Sequence, residues 1–194
     1  NRLLAQLTIQ VDTFEDEDND RLRACTSLPR DCSLRGAVMH ANLDPNTFYT
    51  IHVPAGRFLL RWVHFEIHAS MIIQGAGRSA TIIDGQNNDL SPIFFVFPET
   101  LVEFRDVQIT LGKNLARCFG GAIMNHGYLL LTNCSLLGNS AAVGAGVFNS
   151  GRLGMTNCLV GGNISRGSGA GIFNEGEMSV SFSDIFSNTI STAA

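Results

Sequence analysis

The chain reads as an all-β solenoid, a parallel β-helix of about six coils with a short N-terminal capping helix. Three observations predict it. One line is written three times: GGAIMNHGYLLLTNCSLLGN from Gly120, GAGVFNSGRLGMTNCLVGGN from Gly144 and GAGIFNEGEMSVSFSDIFSN from Gly169. The copies are 24 and then 25 residues apart, a length that suits one coil whose apolar face is buried only by its neighbours. Each copy breaks short alternating stretches with Gly turns, and no segment sustains a helical period. The composition, 45% apolar and 15% charged, is that of a packed chain and excludes disorder.

The elements follow in order. LLAQLTIQV (Leu3–Val11) alternates as a strand and joins the first coils. DTFEDEDNDR then gathers Asp12, Glu15, Asp16, Glu17, Asp18 and Asp20. Asp16, Asp18 and Asp20 alternate as the oxygen ligands of calcium loops do. The EF-hand pattern fails, because no Gly holds the sixth position and Ser27 holds the twelfth. A solvated acidic loop and a Ca²⁺ site both remain open. Cys25 and Cys32 flank CTSLPRDC, close enough for a local disulfide, which implies an oxidising compartment.

CSLRGAVMHANL places Leu34, Ala37, Val38 and Ala41 on one face of a short helix, with Ser33 or Asp31 as its N-cap. Such a helix covers the open first coil and blocks stray strand pairing there. YTIHVPAGRFLL (Tyr49–Leu60) and MIIQGAGRSATIIDGQ (Met71–Gln86) each give strands around a Gly turn. LVEFRDVQITLGK (Leu101–Lys113) reads as a divergent copy of LLLTNCSLLGN. One domain therefore spans residues 1–194: the strand, acidic loop and helix in 1–48, irregular coils in 49–118, and regular repeats in 119–194.

Two asparagine columns recur in register, Asn125, Asn149, Asn174 and Asn139, Asn163, Asn188. Repeated corners need residues that tolerate left-handed φ or that satisfy backbone groups with their own amides. Stacked amides also bond along the column as structural ladders. Cys134 and Cys158 stack in the same way, but parallel side chains hold their Cβ atoms wider than the roughly 3.8 Å a disulfide prefers. They are expected as reduced thiols filling a column; Cys118 is left unassigned.

Net charge is −4 and no basic patch exists, so nucleic acid is excluded as a partner. No apolar run approaches the roughly 20 residues of a membrane span. The N-terminus carries no signal pattern, so a processed chain is expected. The text after the last repeat suggests no cap, so either the chain is cut there or another chain covers the last coil. For catalysis the candidates are Glu103, Arg105 and Asp106, a base beside carboxylates as a uronate lyase needs, with Lys113 and Asp84 nearby in sequence. Against this stands a surface ion pair on a strand face. The outward columns Tyr128, Arg152, Glu177 and His126, Ser150, Glu175 hold no pair of acids, as a glycosidase requires. His64 and His68 share a strand face about 13 Å apart, which disfavours a metal.

At these residues the chain resembles the CSLREA-motif family of bacterial secreted and surface proteins. CSLRGAVMHAN, YTIHVPAGRFLL, SMIIQGAGRSATIIDG and the three repeats occur in the family's order over nearly the whole chain. The repeats are also similar to those of polymorphic outer-membrane proteins and adhesins. The resemblance implies a right-handed, pectate-lyase-like β-helix exported to a bacterial surface or medium. The motif's Glu-Ala is Gly36-Ala37 here, so any role of that Glu is absent. The expected function is a non-catalytic extracellular structural or adhesive module, a subunit of a surface assembly. Its expected partners are another protein chain at the C-terminal end or a surface polysaccharide. A polysaccharide lyase is the alternative. Ca²⁺ is the one cofactor suggested.

Overall fold

Short strand segments alternate with left-handed corners, and the chain winds so that each segment stacks in parallel on the one a coil earlier. The computed structural model describes residues 6–17, 22–62, 64–88 and 92–191, and their side chains except those of 116–118. Strand β1 (Gln6–Gln10) precedes helix α1 (Leu34–Asn42). The first turn is β2 (Phe48–His52), β3 (Gly56–Leu59) and β4 (Phe65–Ile67). The second is β5 (Met71–Gln74), β6 (Thr81–Asp84) and β7 (Phe94–Val96). The third adds a strand: β8 (Leu101–Arg105), β9 (Gln108–Thr110), β10 (Lys113–Phe119) and β11 (Ile123–Asn125). Next come β12 (Tyr128–Thr132), β13 (Ser135–Leu137), β14 (Ser140–Val143) and β15 (Val147–Asn149). Then follow β16 (Arg152–Thr156), β17 (Leu159–Gly161), β18 (Ile164–Ser165) and β19 (Ile172–Asn174). A partial sixth turn holds β20 (Glu177–Ser181), β21 (Asp184–Phe186) and β22 (Thr189–Ile190).

The strands stack into four parallel sheets: β1-β2-β5-β8-β12-β16-β20, β3-β6-β9-β13-β17-β21, β4-β7-β11-β15-β19 and β10-β14-β18-β22. This is a parallel β-solenoid of five complete turns and most of a sixth. The pairing register is the repeat register, with Tyr128 opposite Arg152 and Arg152 opposite Glu177. Leu101 stands opposite Tyr128, so the divergent segment is one more coil. The fourth sheet was not foreseen, because strands such as Ile164–Ser165 are too short to show alternation.

The inward columns make the core. Ile51, Ile73, Phe104, Leu131 and Met155 follow one another across the first sheet, each at most 2% exposed. Each such side chain contributes about 1.5–3 kcal/mol relative to exposure. The next member, Val180, is 38% exposed on the last turn.

The corners separate two roles that the sequence left joined. Left-handed φ is supplied by Asp106, Asn133, Asn157 and Phe182, at 56°, 53°, 54° and 50°. A second such column is Leu111, Gly138, Gly162 and Ser187, at 54°, 65°, 62° and 50°. The Asn125 and Asn139 columns are not left-handed; they act through their amides. Asn125 Nδ2 donates to Asn149 Oδ1 at 2.6 Å, and Asn149 Nδ2 to Asn174 Oδ1 at 2.6 Å. Asn139 Nδ2 donates to Asn163 Oδ1 at 3.0 Å, and Asn163 Nδ2 to Asn188 Oδ1 at 2.9 Å. The same oxygens accept backbone N–H groups of Asn139 and Asn163. Buried corner backbone is thereby satisfied, as it must be.

At the other end Ser33 caps α1, its Oγ accepting the Gly36 N–H at 2.9 Å. Leu34, Ala37, Val38 and Ala41 are buried against the first turn. A Cβ on Gly36 would lie 1.7 Å from the Leu22 carbonyl oxygen. Glycine is therefore required here, since the Leu22 and Arg23 backbone occupies the space that any side chain would need. The strand expected over Leu3–Val11 is β1; residues 3–5 lie outside the described residues.

Candidate functional site

Glu103 and Arg105 alternate on the outer face of β8, and their side chains meet there. Arg105 Nη2 lies 2.7 Å from Glu103 Oε2, and Glu103 Oε1 accepts the Thr132 hydroxyl at 3.2 Å. The bond to Glu103 raises the Arg105 pKa, against a smaller lowering by burial. Raised basicity holds the proton, which opposes the role of a catalytic base. Asp106 turns the corner. Its Oδ2 accepts Gln74 Nε2 at 2.7 Å and its Oδ1 accepts Asn133 Nδ2. It heads a third ladder, which Asn157 continues by donating to Asn133 Oδ1 at 3.1 Å. Asp84 lies on the second sheet, buried and paired with Arg57. The structure therefore brings Glu103 and Arg105 together and ties Asp106 into the coil.

The acidic N-terminal segment is anchoring material where it is described. Both Asp16 oxygens face Arg35, at 2.6 and 3.2 Å, and Oδ2 also accepts the Arg61 N–H at 2.6 Å. Asp16 is 7% exposed, so this ion pair staples α1 to the approach of β4. Asp18 and Asp20 lie outside the described residues. Asp12 accepts the N–H groups of Arg30 and Cys32 at 2.6 and 3.0 Å. It thereby fixes the loop closed by the Cys25–Cys32 disulfide. Among the described residues, no group of three or more His, Cys, Asp or Glu is arranged to hold a metal ion.

Cys134 and Cys158 are free, stacked and buried. Burial pushes the Cys134 thiol well above its ordinary value. A hydrogen bond with Cys134 draws Cys158 down to about 7.

The two outward columns noted in the sequence line one groove of about 480 Å³, where the third sheet turns into the first. His126 Nδ1 lies 2.5 Å from Ser150 Oγ, and Arg152 pairs with Glu177 at 2.9 Å while covering the Tyr128 ring at 5.1 Å. A Ser–His contact invites an acyl-transfer reading, which needs N–H donors for an oxyanion. The nearby N–H groups of Ser150, Arg152, Glu175 and Glu177 all donate to the preceding coil. The groove is a polar flank of the stack. Burial lowers the His126 pKa.

Two features escaped the sequence reading. The third sheet carries an outward stripe, Phe95, Met124, Phe148 and Phe173, one residue per coil. Phe148 and Phe173 stack at 5.6 Å, so their faces cover one another. The signal was the middle residue of IMN, VFN and IFN, hidden because its apolar neighbour points inward. The second is a cavity of about 370 Å³ between α1 and β4, bounded by Val38, Met39, Trp62, His64, Glu66 and His68. His64 and His68 reach back along the strand to one carboxylate: each Nε2 lies 3.3 Å from a different oxygen of Glu66. The hydrogen bond from His68, then the charge of His64, hold the Glu66 pKa below the ordinary carboxylate value, against desolvation.

No protein family, curated protein or solved structure matches the chain.

Proposed function

We propose that this chain is a non-catalytic structural and adhesive module of a bacterial surface or extracellular assembly, right-handed and pectate-lyase-like in its winding. One observation carries the reading: the residues best placed for polysaccharide chemistry are committed to the stack. Arg105 neutralises Glu103, and Asp106 heads an amide ladder. The Cys25–Cys32 disulfide supports an oxidising, extracellular location, and the order of the CSLREA-like motifs supports export. Among the described residues, no helix is long and apolar enough to cross a membrane.

Partners fit two places. A further coil or another protein chain suits the last turn, where Met178 and Phe186 are 45% and 46% exposed. A surface polysaccharide suits the flank. Nucleic acid does not suit a chain of net charge −4. The test pairs two assays on the purified chain. Incubation with polygalacturonate and alginate should release no unsaturated, ultraviolet-absorbing product, while sedimentation with insoluble cell-surface polysaccharides should retain the chain. Product formation that Arg105→Ala abolishes would establish the lyase instead.

A further inference from the structure

The cavity between α1 and β4 has the size and lining of a ligand site. Its volume, about 370 Å³, falls within the roughly 300–1,000 Å³ of small-molecule sites. The floor is apolar, made by Val38, Met39 and the Phe65 ring. Trp62, the only tryptophan of the chain, forms one wall and is 57% exposed. The rest of the lining is polar and built: Glu66 is held between His64 and His68, and His68 packs on Phe97 with centroids 3.9 Å apart. Asn42 fixes this rim from the helix. Its Nδ2 donates to the Glu66 carbonyl at 2.7 Å, and its Oδ1 accepts the His68 N–H at 3.0 Å.

The charges decide the ligand class. Among the described residues, Arg35 is the one guanidinium lining the cavity, and it is already bound to Asp16 and laid over Phe65 at 4.5 Å. Among the described lining residues, the guanidinium is thus not offered to an anionic ligand, and the Glu66 carboxylate repels one. The imidazoles face separate carboxylate oxygens instead of converging on a point, which presents hydrogen-bonding groups rather than a metal cage. An exposed indole sharing one cavity with carboxylate and imidazole groups matches a pyranose ring, which has an apolar face and a rim of hydroxyls.

We propose that this cavity is a binding subsite for a neutral sugar unit, with Trp62 as the stacking platform and Glu66 as the hydroxyl acceptor. The proposal deepens the adhesive reading and rests on it. It also sets the preferred polymer apart from the polyuronates that a lyase would take.

The single tryptophan supplies the probe. Trp62 fluorescence of the intact chain is titrated with neutral gluco-, manno- and galacto-oligosaccharides and with oligogalacturonate. At least one neutral series should give a saturable change with a midpoint on the order of 1 mM. Glu66→Gln, at an exposed position, should weaken that midpoint by about tenfold, the effect of one charge-assisted hydrogen bond. Oligogalacturonate should bind at least about tenfold more weakly than the best neutral series, because like charges meet. Calorimetry should show the same loss for Trp62→Ala. No saturable change with any neutral series, equal binding by Glu66→Gln, or preference for the uronate overturns the proposal. Sedimentation with insoluble polysaccharide separates the two readings. Retention of both wild type and Trp62→Ala sinks this subsite and leaves the adhesive module. Saturable sugar binding alongside cleavage of the polymer keeps the subsite and sinks the non-catalytic reading.

Discussion

Asn149 stands between two copies of itself, accepting from Asn125 at 2.6 Å and donating to Asn174 at 2.6 Å. It is fully buried, and its amide also bonds the Glu177 carbonyl at 3.1 Å. Asn149→Ala removes all of these contacts and strands groups on two coils. Urea unfolding should show a loss of about 2–4 kcal/mol. Asn174→Ala, at the exposed end of the same column, should lose under about 1 kcal/mol. Equal losses would show that the ladder is not a buried network.

Phe182 occupies the corner that Asp106, Asn133 and Asn157 occupy in earlier coils, at φ 50°, and is 89% exposed. A side chain that packs on so little has no compensation for a left-handed backbone. Phe182→Asn should therefore raise stability by about 0.5–1 kcal/mol, while Asn157→Val should lower it by about 1–2 kcal/mol. The melting temperatures should move in opposite directions. A destabilising Phe182→Asn would mean that the ring is covered in solution.

Two effects compete at the stacked thiols. The hydrogen bond with Cys134 lowers the Cys158 pKa, which favours reaction, but Cys134 and Cys158 are 0% and 1% exposed. Access decides, because a thiolate without a path to reagent is inert. In a Cys118→Ser background, Ellman's reagent should find no reactive thiol in the native chain and two after denaturation. Rapid labelling of the native chain would show that the coils open locally.

His126 sets a pH dependence. Burial lowers its pKa below the ordinary 6.5, so the folded chain prefers the neutral ring. Above 6.5 the folded and unfolded states are both neutral, and the residue contributes no slope. As pH falls through 6.5 the unfolded chain takes up the proton first, so stability declines until the folded ring titrates too. Glu99, Arg152, Glu175 and Glu177 line the same groove. His126→Gln should flatten the decline below pH 6.5 in urea midpoints. An unchanged slope would assign it to other groups.

The fold was legible because stacking repeats its own requirements. Gly151 recurs with Gly127 and Gly176 because a Cβ at Gly151 would sit 2.1 Å from the Gly127 carbonyl oxygen. Ser33 could be read as a cap from its place ahead of an apolar helix face. The sites were less legible, and the reasons are particular. VFN holds two adjacent apolar residues, and only the coil decides that Val147 turns inward and Phe148 outward. His64 and His68 looked separate because strand spacing counts backbone, whereas their side chains meet on Glu66 between them. The cavity needed α1 laid beside β4, a tertiary fact that no local pattern in Trp62–His68 encodes.

The register of the stack has a last consequence. Each coil pairs only with the coil before and after it, at matching positions, and α1 closes one end whatever the number of coils between. A duplicated repeat would therefore lengthen the molecule by about 4.8 Å without touching the N-terminal cavity. The solenoid acts as a ruler. Its coil count fixes how far the Trp62 pocket lies from the last described turn, a distance that can change by whole steps while the pocket stays the same.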